Sequence, residues 1–358
     1  MQMKPFASRD LPFVLVLVFF VLIGLSSVTP AHGADSIGFR TFSLPATENG
    51  RALEVAVWYP ADSASETSLA GDSPIFIGLP VGPQAHPAPG RRPLVVISHG
   101  YGGNWANQMW LARELVLLGY VVAAPNHPGT TSRDMHAPAA AALWERPRDI
   151  SHAIDALTTA PAWSGMIDPD RIAVIGHSLG GWTALEVAGG RFDPDRFTRD
   201  CRRHGVLAAC RIYEAIGAGR DAASNAALGQ SRLDTRVKAV VSMDLGFARS
   251  FDPASLAAVT APVLVIAAGP HTTDMPATLE SQHLAAELPA ATTRYVQIKD
   301  AAHFSFLPEC KPGAAAMLQS GPPDKRSLCL DGGGRQRAAI HEQVVDTVRR
   351  FLSEILRG

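Results

Sequence analysis

The sequence feature that most restricts the fold is a serine in a glycine-rich turn at residues 176–180, Gly-His-Ser-Leu-Gly. A short apolar, β-branched run at residues 172–175 precedes it and predicts a buried strand. Residues 182–188 are rich in helix-forming side chains. A G-x-S-x-G turn between a strand and a helix strains its serine and uses the glycines for close packing. The pattern predicts Ser178 as an exposed nucleophile, although a tight turn whose serine only caps a helix would show the same five letters.

Length and composition suit one large α/β domain. The chain has 358 residues, of which 47% are hydrophobic and 18% charged, and this supports a sizeable core. The formal net charge is −1, so neither sign dominates. The charge balance therefore gives no support for nucleic acid or an anionic membrane as a partner.

The N-terminus has the pattern of a targeting segment. Lys4 and Arg9 precede an apolar run at residues 11–23, and small residues follow it. We expect residues 1–33 to be a signal peptide cleaved near Gly33, because small residues lie there at the spacing that signal peptidase prefers. The alternative is an uncleaved anchor, since the run approaches the roughly 18 residues of a membrane span. Cleavage predicts an exported protein, periplasmic or secreted, without a stable membrane anchor.

Four cysteines agree with export. An even number in an oxidising compartment predicts disulfides. Nearest-neighbour pairing, Cys201 with Cys210 and Cys310 with Cys329, closes two short loops and is the pairing we expect; buried free thiols are the alternative. The C-x-x-C spacing of metal and redox sites is absent from the sequence.

From residue 93 onward, apolar strand-like runs alternate with helical patterns. Such alternation predicts an α/β fold with a mostly parallel central sheet and helices on both faces, within a single domain at residues 34–358. The predicted strands after the first hairpin are residues 93–98, 120–124, 172–175, 237–243, 263–267 and 294–298.

Four local features complete this prediction. Asn49-Gly50 predicts a hairpin turn. Residues 60–91, rich in Pro, Gly and Ser, predict a surface loop. Pro125 is expected to end a strand, and a helical pattern over residues 139–159 is expected to be interrupted near Pro147. Residues 190–236 break the rhythm and predict an insertion or cap after the nucleophile helix.

A serine nucleophile needs a positioned base, and in this fold class an acid and then a histidine follow it along the chain. Of the histidines after residue 243, His283 and His341 fall in predicted helices, and His271 comes too soon after its strand. His303 follows the strand at 294–298 in a loop of small residues. It is therefore the predicted base.

Two aspartates are candidates for the acid that orients His303. Asp244 comes directly after the strand at 237–243, whereas Asp274 lies seven residues beyond the next strand, where many proteins of this fold class carry the acid. Asp244 is favoured because it is nearer to its strand end. Asp274 remains the alternative.

A glycine-rich segment at residues 98–103, Ser-His-Gly-Tyr-Gly-Gly, follows the strand that supplies an oxyanion donor in this architecture. We predict the backbone N–H groups of Tyr101 and Leu179 as the oxyanion hole. A glycine-rich turn without a ligand is the alternative reading of the segment.

With these parts in order, the chain resembles the α/β-hydrolases. More narrowly, it is similar to exported dienelactone-hydrolase-like proteins related to platelet-activating-factor acetylhydrolase, and more loosely to secreted polyester hydrolases. The resemblance rests on residues 57–60, 98–103, 176–181, Asp244 and 302–304, and spans most of residues 38–357 outside the insertion. It implies an acid after the earlier strand, hence Asp244, and ester hydrolysis without a metal or organic cofactor. True dienelactone hydrolases use cysteine where this chain has Ser178.

The sequence thus predicts a serine carboxylic-ester hydrolase that acts on small or short-acyl esters through an acyl-enzyme. Trp105, Trp110 and Trp182 could line its acyl pocket or could belong to the core. An amidase or peptidase with the same triad, or a ligand-binding protein that keeps the fold, are the alternatives.

Overall fold

The computed structural model describes residues 1–3, 36–46, 51–62, 66–269, 274–322 and 325–357. Residues 4–33 of the expected signal peptide, the Asn49-Gly50 turn and His271 lie outside these residues. The division into a signal peptide at 1–33 and one domain at 34–358 therefore stays a prediction.

The described strands form one mixed sheet. They are β1 Ser36–Leu44, β2 Leu53–Ala61, β3 Ser68–Ala70, β4 Leu79–Pro83, β5 Arg92–Ser98, β6 Val121–Asn126, β7 Ile167–His177, β8 Val237–Met243, β9 Val263–Ala267 and β10 Thr293–Gln297. Their order across the sheet is β10-β9-β8-β7-β5-β6-β2-β1-β4-β3. The six from β10 to β6 are parallel, and β2 is antiparallel to both of its neighbours.

The central strands are apolar because they are covered on both faces. Val96 of β5 pairs with Val174 of β7, which in turn pairs with Val240 of β8, and all three side chains are buried. Parallel strands covered by helices on both faces require such continuous Val and Ile runs.

Helices lie on both faces of the sheet, as expected. They are α1 Met109–Leu117, α2 Ala137–Ala141, α3 Glu145–Thr159, α4 Pro161–Ser164, α5 Leu179–Val187, α6 Pro194–Arg203, α7 Ala208–Ile216, α8 Ala222–Leu228, α9 Pro253–Ala257, α10 Ser281–Glu287, α11 Ala314–Gln319 and α12 Arg337–Ile355, with 3₁₀ turns at Trp105–Gln108, Ala248–Ser250 and His303–Phe306.

The side chains of adjacent strand residues enter two separate cores. Val174 packs in the core that α3, α5 and α10 cover, whereas its neighbour Ile175 packs in the core that α1 and α12 cover. This alternation follows from the two-residue period of a strand.

The expectation for Pro125 is wrong, whereas the interruption expected near Pro147 is present. Pro125 does not end β6 but lies within it, opposite Val55 of β2, and its missing N–H is tolerated because the ladder from β6 to β5 stops at Ala123. The helical pattern is interrupted at residues 142–144, just before Pro147. Pro147 itself is the third residue of α3, where a backbone N–H has no partner within the helix.

Residues 60–91 are not all surface loop. They contain β3 and β4, and in β4 the buried Leu79 and Val81 alternate with an exposed Pro80. This short strand period is obscured in the sequence by the surrounding Pro, Gly and Ser residues.

The insertion at 190–236 contains α6, α7 and α8. Its Phe197 packs 5.2 Å from Phe247, ring centre to ring centre, in the loop that follows β8. A disulfide joins Cys201 in α6 to Cys210 in α7, and a second joins Cys310 to Cys329, as expected. The role of the insertion as a cap stays a prediction.

Candidate active site

Ser178 lies directly after β7 and before α5, with a backbone φ of 58° and ψ of −124°. Few residues other than glycine adopt a positive φ, so the turn is held by its surroundings. One contact that holds it is the hydrogen bond from the Ser178 N–H to the carbonyl of Met243, at the end of β8. The strained turn expected from the sequence is therefore present.

The glycines of this turn permit the close approach of strand and helix. A Cβ atom on Gly176 would lie 1.9 Å from the carbonyl oxygen of Gly180, and one on Gly180 would lie 2.0 Å from that of Ser98. Both contacts are with backbone atoms that side-chain rotation cannot relieve. The spacing of the two glycines is thus a packing requirement of this elbow.

His303 begins the 3₁₀ turn that follows β10. Its Nε2 lies 3.1 Å from the Oγ of Ser178, within hydrogen-bond reach. Its carbonyl oxygen accepts a hydrogen bond from Nε2 of His177 at 3.0 Å, and the two imidazole rings lie 4.7 Å apart. Burial lowers the pKa of His177 well below its ordinary value, so this neighbour is a neutral donor. The residue before the nucleophile thereby holds the backbone of the candidate base.

Asp244 contacts the other nitrogen of the same imidazole. Its Oδ2 accepts from Nδ1 of His303 at 2.7 Å, and its Oδ1 accepts from the N–H of Ala268 at 2.8 Å. The Asp244 backbone has a φ of 42°, and its N–H donates to the carbonyl of Ile266. Asp244 is thus anchored to β9 while its carboxylate faces the histidine.

Asp274, the alternative acid, lies elsewhere. Its carboxylate accepts a hydrogen bond from Nη2 of Arg211 at 2.9 Å, and its carbonyl accepts from the N–H of Ala208. The side chain is 41% exposed. The structure therefore brings together Ser178, His303 and Asp244, and uses Asp274 to tie the insertion to the loop after β9.

The two predicted oxyanion donors border the nucleophile. A Cβ atom on Gly100 would lie 3.0 Å from the Cβ and 3.5 Å from the Oγ of Ser178, so the Gly100–Tyr101 backbone passes beside the serine. Leu179 is the first residue of α5, where N–H groups have no partner within the helix. Within the described residues, the N–H groups of Tyr101 and Leu179 donate no hydrogen bond to another protein atom.

The buried side chain of His99 orients the Tyr101 N–H. Its Nε2 accepts from the N–H of His127 at 3.1 Å, so the proton is on Nδ1, which donates to the carbonyl of Gly100 at 2.7 Å. The N–H of Gly103 donates to that carbonyl as well. In a trans peptide the N–H points away from the C=O, so fixing the Gly100 carbonyl turns the Tyr101 N–H to the opposite side.

Sequence reasoning missed a buried acid behind Asp244. The carboxyl of Glu280, 2% exposed, accepts a hydrogen bond from the N–H of Ala248 at 2.8 Å. Burial raises the pKa of Glu280 to about 8, and the negative charges of Asp244 and Asp200 add to the rise. Glu280 lies near the site because it contacts Ala248 in the loop that follows β8, 32 residues earlier in the chain. No pattern local to residue 280 could have identified it.

The tryptophan pocket is not present in the form suggested by the sequence. Trp182 is fully buried among phenylalanines, Trp105 packs with Trp58 in the opposite core, and Trp110 stacks on His341 of α12. Methionines approach the active-site loops instead: Met135 lies beside Gly102, and Met275 beside Gly246. Both are flexible apolar side chains suited to irregular surfaces.

Among the residues that the structure describes, no cluster of three or more His, Cys, Asp or Glu side chains has the arrangement of a metal site. None of the described helices combines the length and apolar character that a membrane span needs.

A family model described as the alpha/beta hydrolase family matches residues 94–316, more than half of the chain. The chain belongs to this family. The narrower resemblance to dienelactone-hydrolase-like proteins stays a prediction. Membership accounts for the order of the candidate residues along this alpha/beta hydrolase, with serine first, then the acid and then the histidine.

Two known proteins show the range of the similarity. Cutinase est2 from Thermobifida alba is 33% identical over 101 residues, which are 28% of this chain. The chain thus matches about a third (31%) of the length of that curated relative. The structure of a ferulic acid esterase from Streptomyces cinnamoneus superposes with a TM-score of 0.63 over 92% of this chain and 93% of that one. At 21% identity this second likeness concerns the fold.

Proposed function

We propose that this alpha/beta hydrolase is an exported serine esterase that cleaves small or short-acyl carboxylic esters. The observation that carries the proposal is the continuous hydrogen-bond chain from Ser178 through His303 to Asp244. It lies beside two amide groups that have no hydrogen-bond acceptor among the described residues. The names of the similar proteins, a cutinase and a ferulic acid esterase, both denote ester hydrolases. The two disulfides are compatible with an oxidising compartment and hence with export.

In the proposed mechanism, the Oγ of Ser178 attacks the ester carbonyl while His303 takes its proton. Asp244 holds the imidazole in the required tautomer and stabilises the imidazolium. The N–H groups of Tyr101 and Leu179 bind the tetrahedral oxyanion. His303 then protonates the leaving alcohol, and a water molecule activated by the same imidazole releases the acid from the acyl-enzyme.

The test is a chain-length series of p-nitrophenyl esters, with the matching p-nitroanilides, on purified wild type and Ser178→Ala. We expect turnover to be fastest with short acyl chains, much slower with anilides, and lost in Ser178→Ala. The variant Ser353→Ala removes an exposed hydroxyl from α12 and controls for serine loss. Preference for the anilide would favour an amidase. Equal activity in wild type and Ser178→Ala would refute the proposal.

A further inference from the structure

A second Ser-His-Asp arrangement lies buried behind the oxyanion loop. The Oγ of Ser98 is 2.9 Å from Nε2 of His127, and Nδ1 of His127 is 2.8 Å from the carboxylate of Asp149. Arg51 closes the chain with two hydrogen bonds to Asp149, of 3.0 and 2.7 Å. Ser98, His127 and Asp149 are each at most 1% exposed. A substrate cannot reach this serine, so the arrangement is not a second active site.

Arg146 connects this buried chain to the active-site loops. Its guanidinium donates to the Oγ1 of Thr183 at 3.0 Å, to the Oγ1 of Thr130 at 2.5 Å and to the Oγ of Ser98 at 3.3 Å. It also donates to the carbonyl of His99. The side chain is 1% exposed, and burial lowers its pKa to about 9. It is therefore still a cation at neutral pH.

The contacts of Arg146 lead to both sides of the Tyr101 N–H. On one side, the His99 carbonyl that it binds begins the peptide before Gly100. On the other side, the carbonyl of Thr130, whose hydroxyl it binds, accepts the N–H of Gly102 at 2.9 Å. The segment that carries the Tyr101 amide is thus anchored before and after that residue.

The same guanidinium also reaches the second oxyanion donor. The hydroxyl of Thr183, which accepts from Arg146, donates to the carbonyl of Leu179 at 3.0 Å. Arg146 is therefore linked to the segments that carry both amides. Thr130 and the His99 carbonyl connect it to the segment of Tyr101, and Thr183 connects it to the segment of Leu179.

A buried ionic cluster of this kind is weak evidence for stability. Replacing buried ion pairs with apolar groups is often neutral or stabilising, because desolvation of the charges cancels much of their attraction. What Arg146 supplies is geometry, since a planar guanidinium donates in fixed directions to several acceptors at once. We propose that Arg146 is a positioning residue that sets the separation of the Tyr101 and Leu179 amides, and so the fit of the oxyanion hole. This inference rests on the proposed function.

The test replaces Arg146 and measures ground-state and transition-state binding separately. We expect Arg146→Met to lower kcat on p-nitrophenyl acetate by about 10–100-fold, less than the roughly 10²–10³-fold loss of a whole oxyanion donor. KM should change less than about threefold, while the Ki of a trifluoromethyl ketone, which forms a tetrahedral adduct, should rise with the kcat loss. Arg146→Lys keeps the charge and should recover part of the activity.

Arg236→Met is the matched control. Arg236 precedes β8, at the opposite end of the strands from Asp244, and bonds to Asp234 and Asp155. Its loss should lower stability and leave kcat and Ki unchanged. Equal losses in the two variants, or an unchanged Ki in folded Arg146→Met, would overturn the proposal.

Two further measurements keep the proposal decidable. If Arg146→Met does not fold, Thr183→Val removes only the hydroxyl that joins Arg146 to Leu179, and should lower kcat and raise Ki severalfold.

If the wild type hydrolyses no ester, the proposed function fails first. Hydrogen–deuterium exchange at residues 98–103 and 178–183 then decides: faster exchange in Arg146→Met than in Arg236→Met supports positioning, and equal exchange refutes it.

Discussion

Strained backbone marks the candidate catalytic residues. In the described chain, the non-glycine residues with positive φ are Gln84, Ser178, Asp244 and Phe247, so three of the four belong to the two loops that meet at His303. Each such residue costs roughly 1–3 kcal/mol and persists only where its surroundings hold it. Asp244 is held by hydrogen bonds to Ile266 of β9 and to Ala268 just after it. Four residues after Asp244, the N–H of Ala248 is bound by Glu280.

The choice of acid is tested at the residue scale. Asp244→Asn should lower kcat by about 10³–10⁴-fold, because an amide cannot hold the imidazole in the productive tautomer. Asp274→Asn should change kcat little, since this carboxylate pairs with Arg211. Steady-state kinetics on p-nitrophenyl acetate compare the two. Activity that survives in Asp244→Asn and is lost in Asp274→Asn would reverse the assignment.

Glu280 predicts a pH-dependent stability. Its pKa is raised by folding to about 8, so the native state retains a proton that the unfolded state loses at lower pH. Stability from this group is therefore greatest in acid and is lost as the pH rises towards 8. Glu280→Gln can keep the bond to the Ala248 N–H but cannot ionise.

Urea unfolding at several pH values tests this prediction. The free energy of unfolding of Glu280→Gln, minus that of wild type, should increase by more than about 1 kcal/mol between pH 5 and pH 8. Glu214→Gln, at an exposed acid of α7, corrects for the loss of one charge. A difference that is constant with pH would show that Glu280 is ionised in the folded protein.

At the scale of elements, the junction of β7 and α5 depends on glycine. Gly176→Ala and Gly180→Ala would each force a methyl group into a backbone carbonyl, so each should lower the free energy of unfolding by about 3 kcal/mol or more. Gly165→Ala is the control, because a Cβ there meets no atom within 4 Å and the backbone φ is −70°. Thermal melts of the three variants make the comparison. Normal stability in Gly180→Ala would contradict the close packing described above.

Elements were predictable where their pattern is carried by their own residues. β8 and β9 begin and end at the expected residues, because β9 is an uninterrupted apolar run and β8 is apolar apart from Lys238 and Ser242. Pro125 misled the prediction, since the effect of a proline in a strand depends on whether its N–H would have had a partner, which the neighbouring strands decide.

At the scale of the whole molecule, the sequence located the candidate triad but not its supports. Ser178, Asp244 and His303 each follow a predicted strand, and parallel strands bring their carboxyl ends to one edge. Arg146 and Glu280 could not be found this way. Each lies in a segment whose pattern predicts an ordinary helix, and its importance comes from contacts with segments distant along the chain.

The central claim is that Ser178 is a nucleophile activated by His303, and fluorophosphonate labelling followed by peptide mass spectrometry tests it most directly. Wild type should carry one phosphonyl group, on Ser178. His303→Ala should label about 10²–10⁴-fold more slowly, the usual value of base catalysis, and Ser178→Ala should not label. A wild-type protein that stays unlabelled, or that carries the adduct on another serine, would contradict the account.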